Sequence, residues 1–62
     1  MNNEKQSWFI RFTIKREGVS ETMSGIITGD NASNALNSFV QHQADTLKIS
    51  RLDVDVLAMN RV

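Results

Sequence analysis

The residues that could support catalysis lie close together in the chain, at Ser38, His42 and Asp45. Positions i, i+4 and i+7 share one side of a helix. A hydroxyl, an imidazole and a carboxylate can act as a nucleophile, its base and an orienting group. The same spacing is common by chance, and the sequence contains neither a glycine-rich elbow nor a second histidine. We therefore expect no catalytic residue and no enzymatic activity, with His42 an ordinary surface residue.

A second pair of chemically capable residues is Asp53 and Asp55. Two carboxylates on one strand face can bind a divalent cation or perform acid–base work. Arg11 and Arg51 are expected nearby, which favours ordinary ion pairs instead. Because the chain has one histidine and no cysteine, we expect no metal site, and no motif indicates a cofactor.

The strongest structural pattern is a β-hairpin over residues 7–28. Aromatic, β-branched and hydroxyl residues alternate on both limbs, 7–15 and 19–28, around a Glu17-Gly18 turn. The turn fixes the register, and a slip of one residue would move every apolar side chain to the other face. The expected cross-strand pairs are Trp8 with Ile27, Phe12 with Met23, Ile14 with Glu21, and Arg16 with Val19.

A helix is expected from about residue 31 to about residue 47. Its N-cap is predicted to be Asp30, with Asn31 or Thr28 as alternatives. The apolar residues Ala32, Ala35, Leu36, Phe39, Val40 and Leu47 recur at helical spacing. Gln43 interrupts this stripe, so its amide either has buried partners or lies at the rim of the core.

The last element is predicted as a strand over residues 49–59. Alternation places Leu52, Val54, Val56 and Ala58 on the face towards the helix. The opposite face receives Arg51, Asp53, Asp55, Leu57 and Met59.

The order of these elements predicts an α+β fold of ββαβ type. One helix would cover one face of a three-stranded antiparallel sheet with strand order 2-1-3, because this order allows a right-handed crossover. We expect a flexible N-terminus over residues 1–6 and a single domain over residues 7–62.

The face of the sheet turned away from the helix should carry four large apolar side chains at one end: Phe9, Ile26, Leu57 and Met59. Exposed apolar patches of this kind mark interfaces. The cluster is therefore interpreted as a homodimer or partner surface. Two alternatives are that a chain terminus folds over it, or that the strand register differs and these residues belong to the core.

The same face suggests a second function, because it also carries basic residues. Sheets that bind single-stranded nucleic acid stack bases on exposed aromatic rings and place Lys and Arg along the phosphate path. Only Phe9 could stack here, and aspartates lie nearby. Nucleic-acid binding is thus the alternative to protein binding, and its candidate contacts are Arg11, Lys15, Arg16 and Arg51.

The outward surface of the helix is polar but nearly uncharged, rich in Asn, Gln and Ser. Interface cores are depleted in charge, so this surface could be a second contact face. The interpretation we favour is a weak, solvated helix that is stabilised by packing.

The length and composition of the chain limit its domain number, its oligomeric state and the partners it can bind. A 62-residue chain forms one domain at most, and without cysteine it cannot be held by disulfides, so we expect a homodimer rather than a marginal monomer. Seven basic residues balance seven acidic ones, which gives no general attraction to nucleic acid or membranes. No apolar run could span a membrane or act as a signal peptide, so a cytoplasmic location is expected. The sequence thus predicts a small interaction protein that binds and modulates another protein, and its size without catalytic residues suits a phage- or plasmid-encoded modulator.

Overall fold

The computed structural model describes residues 5–62, and they form a sheet of three strands with one helix packed against it. The elements in chain order are β1 (Gln6–Arg16), β2 (Val19–Gly29), α1 (Ala32–Leu47), a 3₁₀ turn (Arg51–Asp53) and β3 (Val54–Arg61). Both strand pairs are antiparallel and the order is β2-β1-β3. The predicted ββαβ fold and strand order are confirmed.

The N-terminal boundary of the sheet is Gln6, which pairs with Gly29. Lys5 precedes it and places its Nζ 3.7 Å from Oδ1 of Asp30, an exposed ion pair of small energetic weight. Residues 1–4 of the segment expected to be flexible lie outside the described residues.

The hairpin has the predicted register at all four expected pairs, from Trp8–Ile27 to Arg16–Val19. Glu17 and Gly18 form its two-residue turn with φ angles of 51° and 78°. Turns with two positive φ values match the twist of the flanking strands, and glycine adopts such a value without steric cost. The turn chemistry therefore sets the register of the whole hairpin.

The core lies between the inner face of β1 and the helix. Trp8, Ile10, Phe12 and Ile14 alternate inwards and are all buried, with Ile10 fully inaccessible. Val54 of β3 extends this cluster, and Phe39 of α1 packs against it. The rings of Phe12 and Phe39 meet edge to face, with centroids 4.8 Å apart and planes at 71°. The predicted inward face of β1 is thus correct.

The helix begins after Asn31, whose Oδ1 accepts a hydrogen bond from the Asn34 N–H at 2.9 Å. Asn31 is therefore the N-cap, and the first choice from the sequence, Asp30, is wrong. The helix ends at Leu47 because Lys48 turns into the left-handed region, with φ 58°. Gln43 is half-buried, and none of the described residues has a buried polar side-chain atom without a partner, which places its amide at the rim of the core.

The third strand begins five residues later than predicted, at Val54. Ser50 causes the delay, since its hydroxyl accepts a hydrogen bond from the Leu52 N–H at 3.1 Å and caps the 3₁₀ turn. Leu52 consequently points into solvent and is 91% exposed. Its predicted place on the helix-facing side is wrong, because the backbone turns at this point and the alternation of a strand does not apply.

A β-bulge in β3 changes the faces of its last residues. Phe12 pairs with Val56 but its neighbour Arg11 pairs with Ala58, so Leu57 is an extra residue without a partner in β1. The alternation restarts after it, and Met59 pairs with Ile10 and packs against the core. Met59 was predicted on the outer face and Ala58 on the inner face; both assignments are wrong for this reason.

The helix is too short to cover the whole hairpin. Sixteen helical residues span about 24 Å, whereas eleven strand residues span about 36 Å. The hairpin therefore extends beyond the helix at its turn, and Val19 and Met23 remain exposed on the helix side of β2.

Candidate interaction surfaces

The sheet face opposite the helix is uncovered by any of the described residues. Alternation along the strands places small hydroxyl, apolar and a few charged side chains there. They are Ser7, Phe9, Arg11, Thr13 and Lys15 of β1, Ser20, Thr22, Ser24, Ile26 and Thr28 of β2, and Asp55, Ala58 and Asn60 of β3. We call this surface the outer face.

An apolar patch lies at one end of the outer face. Phe9 and Ile26 are direct cross-strand partners and are 39% and 59% exposed. Leu57, the extra residue of the bulge in β3, is 55% exposed and directly precedes Ala58, which pairs with Arg11 of β1. We call Phe9, Ile26 and Leu57 the outer patch. Three of the four residues predicted for this cluster are exposed, and Met59 is excluded because it packs into the core.

The hydroxyl groups of the outer face contact one another across the hairpin. Ser7 Oγ lies 3.3 Å from Thr28 Oγ1, and Thr13 Oγ1 lies 3.4 Å from Thr22 Oγ1. Such pairs stabilise a two-strand ladder by a few tenths of a kcal/mol to about 1 kcal/mol. They border the outer patch with neutral polar groups, so the patch has an uncharged rim on the β2 side.

Arg11 and Lys15 are the cations of the outer face. The sequence led us to expect ion pairs between Arg11 and the aspartates of the last strand. Among residues 5–62, however, the only ion pair within 4.0 Å is the one between Lys5 and Asp30. Arg11 lies opposite Ser24 and Ala58, while Asp55 lies opposite Thr13, so the bulge and register separate the expected partners.

The four basic residues considered for nucleic-acid binding do not form one surface. Arg16 follows Lys15 and therefore projects to the other side of the strand. Arg51 was expected on the outer face but lies in the 3₁₀ turn against the helix. That expectation is wrong for the same reason as at Leu52, since the strand starts only at Val54. Asp53 shares a shallow hollow with Lys15 and Arg16 at the hairpin turn and lowers the positive potential there.

A hydrogen-bonded polar network covers the exposed side of the helix. The Arg51 guanidinium donates to Oε1 of Gln41 at 2.8 Å and to Oδ1 of Asn37 at 3.2 Å. Gln41 Nε2 in turn donates to Oδ1 of Asp45 at 2.9 Å. The i, i+4 spacing of Gln41 and Asp45 is a sequence signal for such a pair, and the role of Arg51 was missed because that residue was assigned to the strand. The network ties the 3₁₀ turn to α1.

The arrangement of Ser38, His42 and Asp45 differs from that of a catalytic triad. All three line a shallow depression on the helix surface with Arg51. Asp45 accepts its hydrogen bond from Gln41, and within residues 5–62 no hydrogen bond joins His42 to either Ser38 or Asp45.

The part of the chain that the structure describes contains no group of three His, Cys, Asp or Glu side chains that could hold a metal ion. None of the helices in residues 5–62 has the length and apolar character needed to cross a bilayer. Comparison of the chain with protein-family models, with curated proteins and with solved structures finds no match.

Proposed function

We propose that this chain is a non-catalytic interaction protein that binds another protein through the outer face, with the outer patch as the centre of contact. The observation that supports this most directly is the exposure of Phe9 and Ile26 on an open sheet face and of Leu57 in the adjacent bulge, while the other large apolar side chains of β1 are buried. Aromatic residues at the centre of an interface contribute much of the binding energy.

The surroundings of the outer patch fit protein binding. The cores of interfaces are apolar and depleted in charge, and their rims are polar. Here the rim consists of serine and threonine hydroxyls, Asn60 and the cation Arg11. A partner with an apolar centre and an acidic edge would match this pattern. The partner of a phage- or plasmid-encoded protein of this kind would be a host protein whose activity it modulates.

The test is capture of a partner with the immobilised protein from an extract of its own source cells. Phe9→Asp introduces a charge at the centre of the outer patch and should abolish capture of any protein that wild type retains specifically. Ile26→Asp should act in the same way, because Ile26 is the direct cross-strand neighbour of Phe9.

Val19→Asp is the control, because Val19 lies on the same hairpin outside the outer patch and is 61% exposed, close to the 59% of Ile26. Capture should survive this substitution. If Val19→Asp and Phe9→Asp weaken capture equally, or if neither does, the outer patch is not the contact surface.

Nucleic-acid binding is the second candidate function. Its specific support is that Arg11 and Lys15 lie on the same face of β1 as Phe9 and have no carboxylate within 4.0 Å among residues 5–62. An aromatic ring in line with two free cations is the arrangement on which single strands stack. This function predicts salt-dependent binding of a single-stranded oligonucleotide that Arg11→Gln and Lys15→Gln weaken, whereas protein capture predicts no such binding.

A further inference from the structure

The free edge of β2 presents an unpaired row of backbone groups. In a hairpin with a two-residue turn, Arg16 and Val19, the residues that flank the turn, exchange hydrogen bonds. The pattern then alternates along β2, so odd-numbered residues bond to β1 and even-numbered residues direct their N–H and C=O groups away from the sheet. These are the groups of Ser20, Thr22, Ser24, Ile26 and Thr28.

This edge lacks the features by which proteins prevent strand addition. Natural edge strands are short, bulged, rich in charge or interrupted by proline. β2 has eleven residues, pairs with β1 without a bulge, contains no proline and carries a single charge, at Glu21. The opposite edge of the sheet is protected, because β3 is shorter, contains a bulge and carries Asp55 and Arg61.

We propose that β2 pairs antiparallel with β2 of a second copy of this chain, about a two-fold axis at Ser24. Ser24 is the central residue of Val19–Gly29, so this register pairs the whole length of the two strands. Even-numbered residues then face even-numbered residues and satisfy the free backbone groups of both edges. The product is one continuous six-stranded sheet with both helices on the same side.

The side chains of β2 favour this register. On the helix side, Met23 of each copy lies opposite Gly25 of the other. Met23 is 41% exposed in the single chain, and a Cβ atom added at Gly25 would meet nothing within 4 Å, so there is room for the methionine. A two-fold axis at Gly25 would instead place glycine opposite glycine and leave that space empty. Glu21 falls near the end of the paired segment, where its carboxylate reaches water.

The proposed dimer goes beyond the proposed function, because it would place the outer patches of both copies on one face of the joined sheet. The assembly could then engage two sites on a partner at once, which raises the overall affinity without new contacts. A single strand pair forms a small interface, in the class below about 1,200 Å², so we expect a dimer that dissociates on dilution.

A single introduced cysteine tests the register, since the chain contains none. Hydrogen-bonded partners in an antiparallel pair have Cα atoms about 5.5 Å apart, within the range that a disulfide spans. Ser24→Cys should therefore form a covalent dimer on mild oxidation, detected by non-reducing electrophoresis. The reaction should slow strongly when the protein is diluted and then supplemented with excess wild-type chain.

Two control variants make the test specific. The Thr22 residues of the two copies would be about 14 Å apart, so Thr22→Cys should cross-link at least tenfold more slowly although both positions are exposed in the single chain. Leu57→Cys reports on the other edge and should also be slow. Equal rates at all three positions, fastest reaction at Leu57→Cys, or no reaction at Ser24→Cys would overturn the proposal.

Sedimentation of Ser24→Pro gives a second readout. Proline removes an N–H that points away from β1, so the hairpin keeps its own hydrogen bonds while the central intermolecular pair is lost. Wild type should show a concentration-dependent dimer and Ser24→Pro a monomer. Phe9→Asp should still dimerise, which separates failure of this proposal from failure of the proposed function. A wild-type monomer at high concentration contradicts the proposal.

Discussion

Asn31 supports the first turn of α1 by accepting a hydrogen bond from the Asn34 N–H. Its backbone is extended, with φ −152° and ψ 171°, which is the usual conformation of an N-cap. Asp30 is as good a cap by residue type, so the sequence could not decide between the two. The end of β2 determines which residue is the N-cap. Because Gly29 still pairs with Gln6, the chain needs one more residue, Asp30, before it can turn into the helix.

Replacement of the cap tests this assignment at the scale of one residue. Asn31→Ala should lower the free energy of unfolding by about 1 kcal/mol, because an N–H at the start of the helix loses its acceptor. Asp30→Ala is the control and should have a smaller effect, since the side-chain contact that Asp30 makes among residues 5–62 is an exposed ion pair with Lys5. Urea unfolding followed by the fluorescence of Trp8 measures both. A larger loss for Asp30→Ala would contradict the assignment.

The position of Arg51 could not be predicted from the alternation of residue types alone. As part of a regular strand it belongs on the outer face with the other cations, and the alternation around it is compatible with that place. The signal for the alternative was Ser50 followed three residues later by Asp53, a spacing typical of a capped turn. Once the chain turns there, the Arg51 guanidinium reaches Gln41 and Asn37 of the helix.

At the scale of elements, the hairpin and the place of β3 in the sheet were predictable, whereas the start of β3 and the faces of its last residues were not. Trp8, Phe12 and Ile14 alternate without interruption, and a two-residue turn with glycine permits only one register. Alternation over residues 52–58 is equally regular, yet the bulge at Leu57 reverses the faces of the residues after it. A bulge leaves no mark in such a pattern, because the residues on both sides of it are apolar.

The contact between β2 and α1 gives a test at this scale. A Cβ atom at Gly29 would lie 2.8 Å from Cβ of Ala35 and 3.0 Å from its Cα, so the helix approaches the strand too closely for any side chain. Gly29→Ala should therefore destabilise the fold by about 1–3 kcal/mol, because the helix must shift.

Gly25→Ala is the matched control on the same strand. A Cβ atom there meets nothing within 4 Å, and alanine restricts the unfolded chain more than glycine does, so stability should stay unchanged or rise by about 0.5–1 kcal/mol. Urea midpoints of the two variants, measured at equal protein concentration, test whether the helix packs closely on β2 at Gly29. Equal losses in both would show that the helix does not pack on β2 at Gly29.

At the scale of the whole molecule, the protein is a long hairpin that a shorter helix covers on one side. The core is small, with Ile10, Phe12, Ile14 and Val54 at its centre, and the opposite sheet face has no cover among the described residues. A 62-residue domain buries only about 60% of its unfolded surface, so additional burial against a partner or a second copy is physically favourable. The proposed function depends on which face of β1 meets the helix.

The measurement that tests this most directly compares Phe9→Asp with Phe12→Asp by circular dichroism and urea unfolding. The two positions carry the same residue on the same strand but lie on opposite faces. Phe9→Asp should fold with a urea midpoint close to that of wild type, because the charge enters water. Phe12→Asp should be unfolded without denaturant, because an unpaired carboxylate would replace a ring that contacts Phe39. A folded Phe12→Asp beside an unfolded Phe9→Asp would contradict the account.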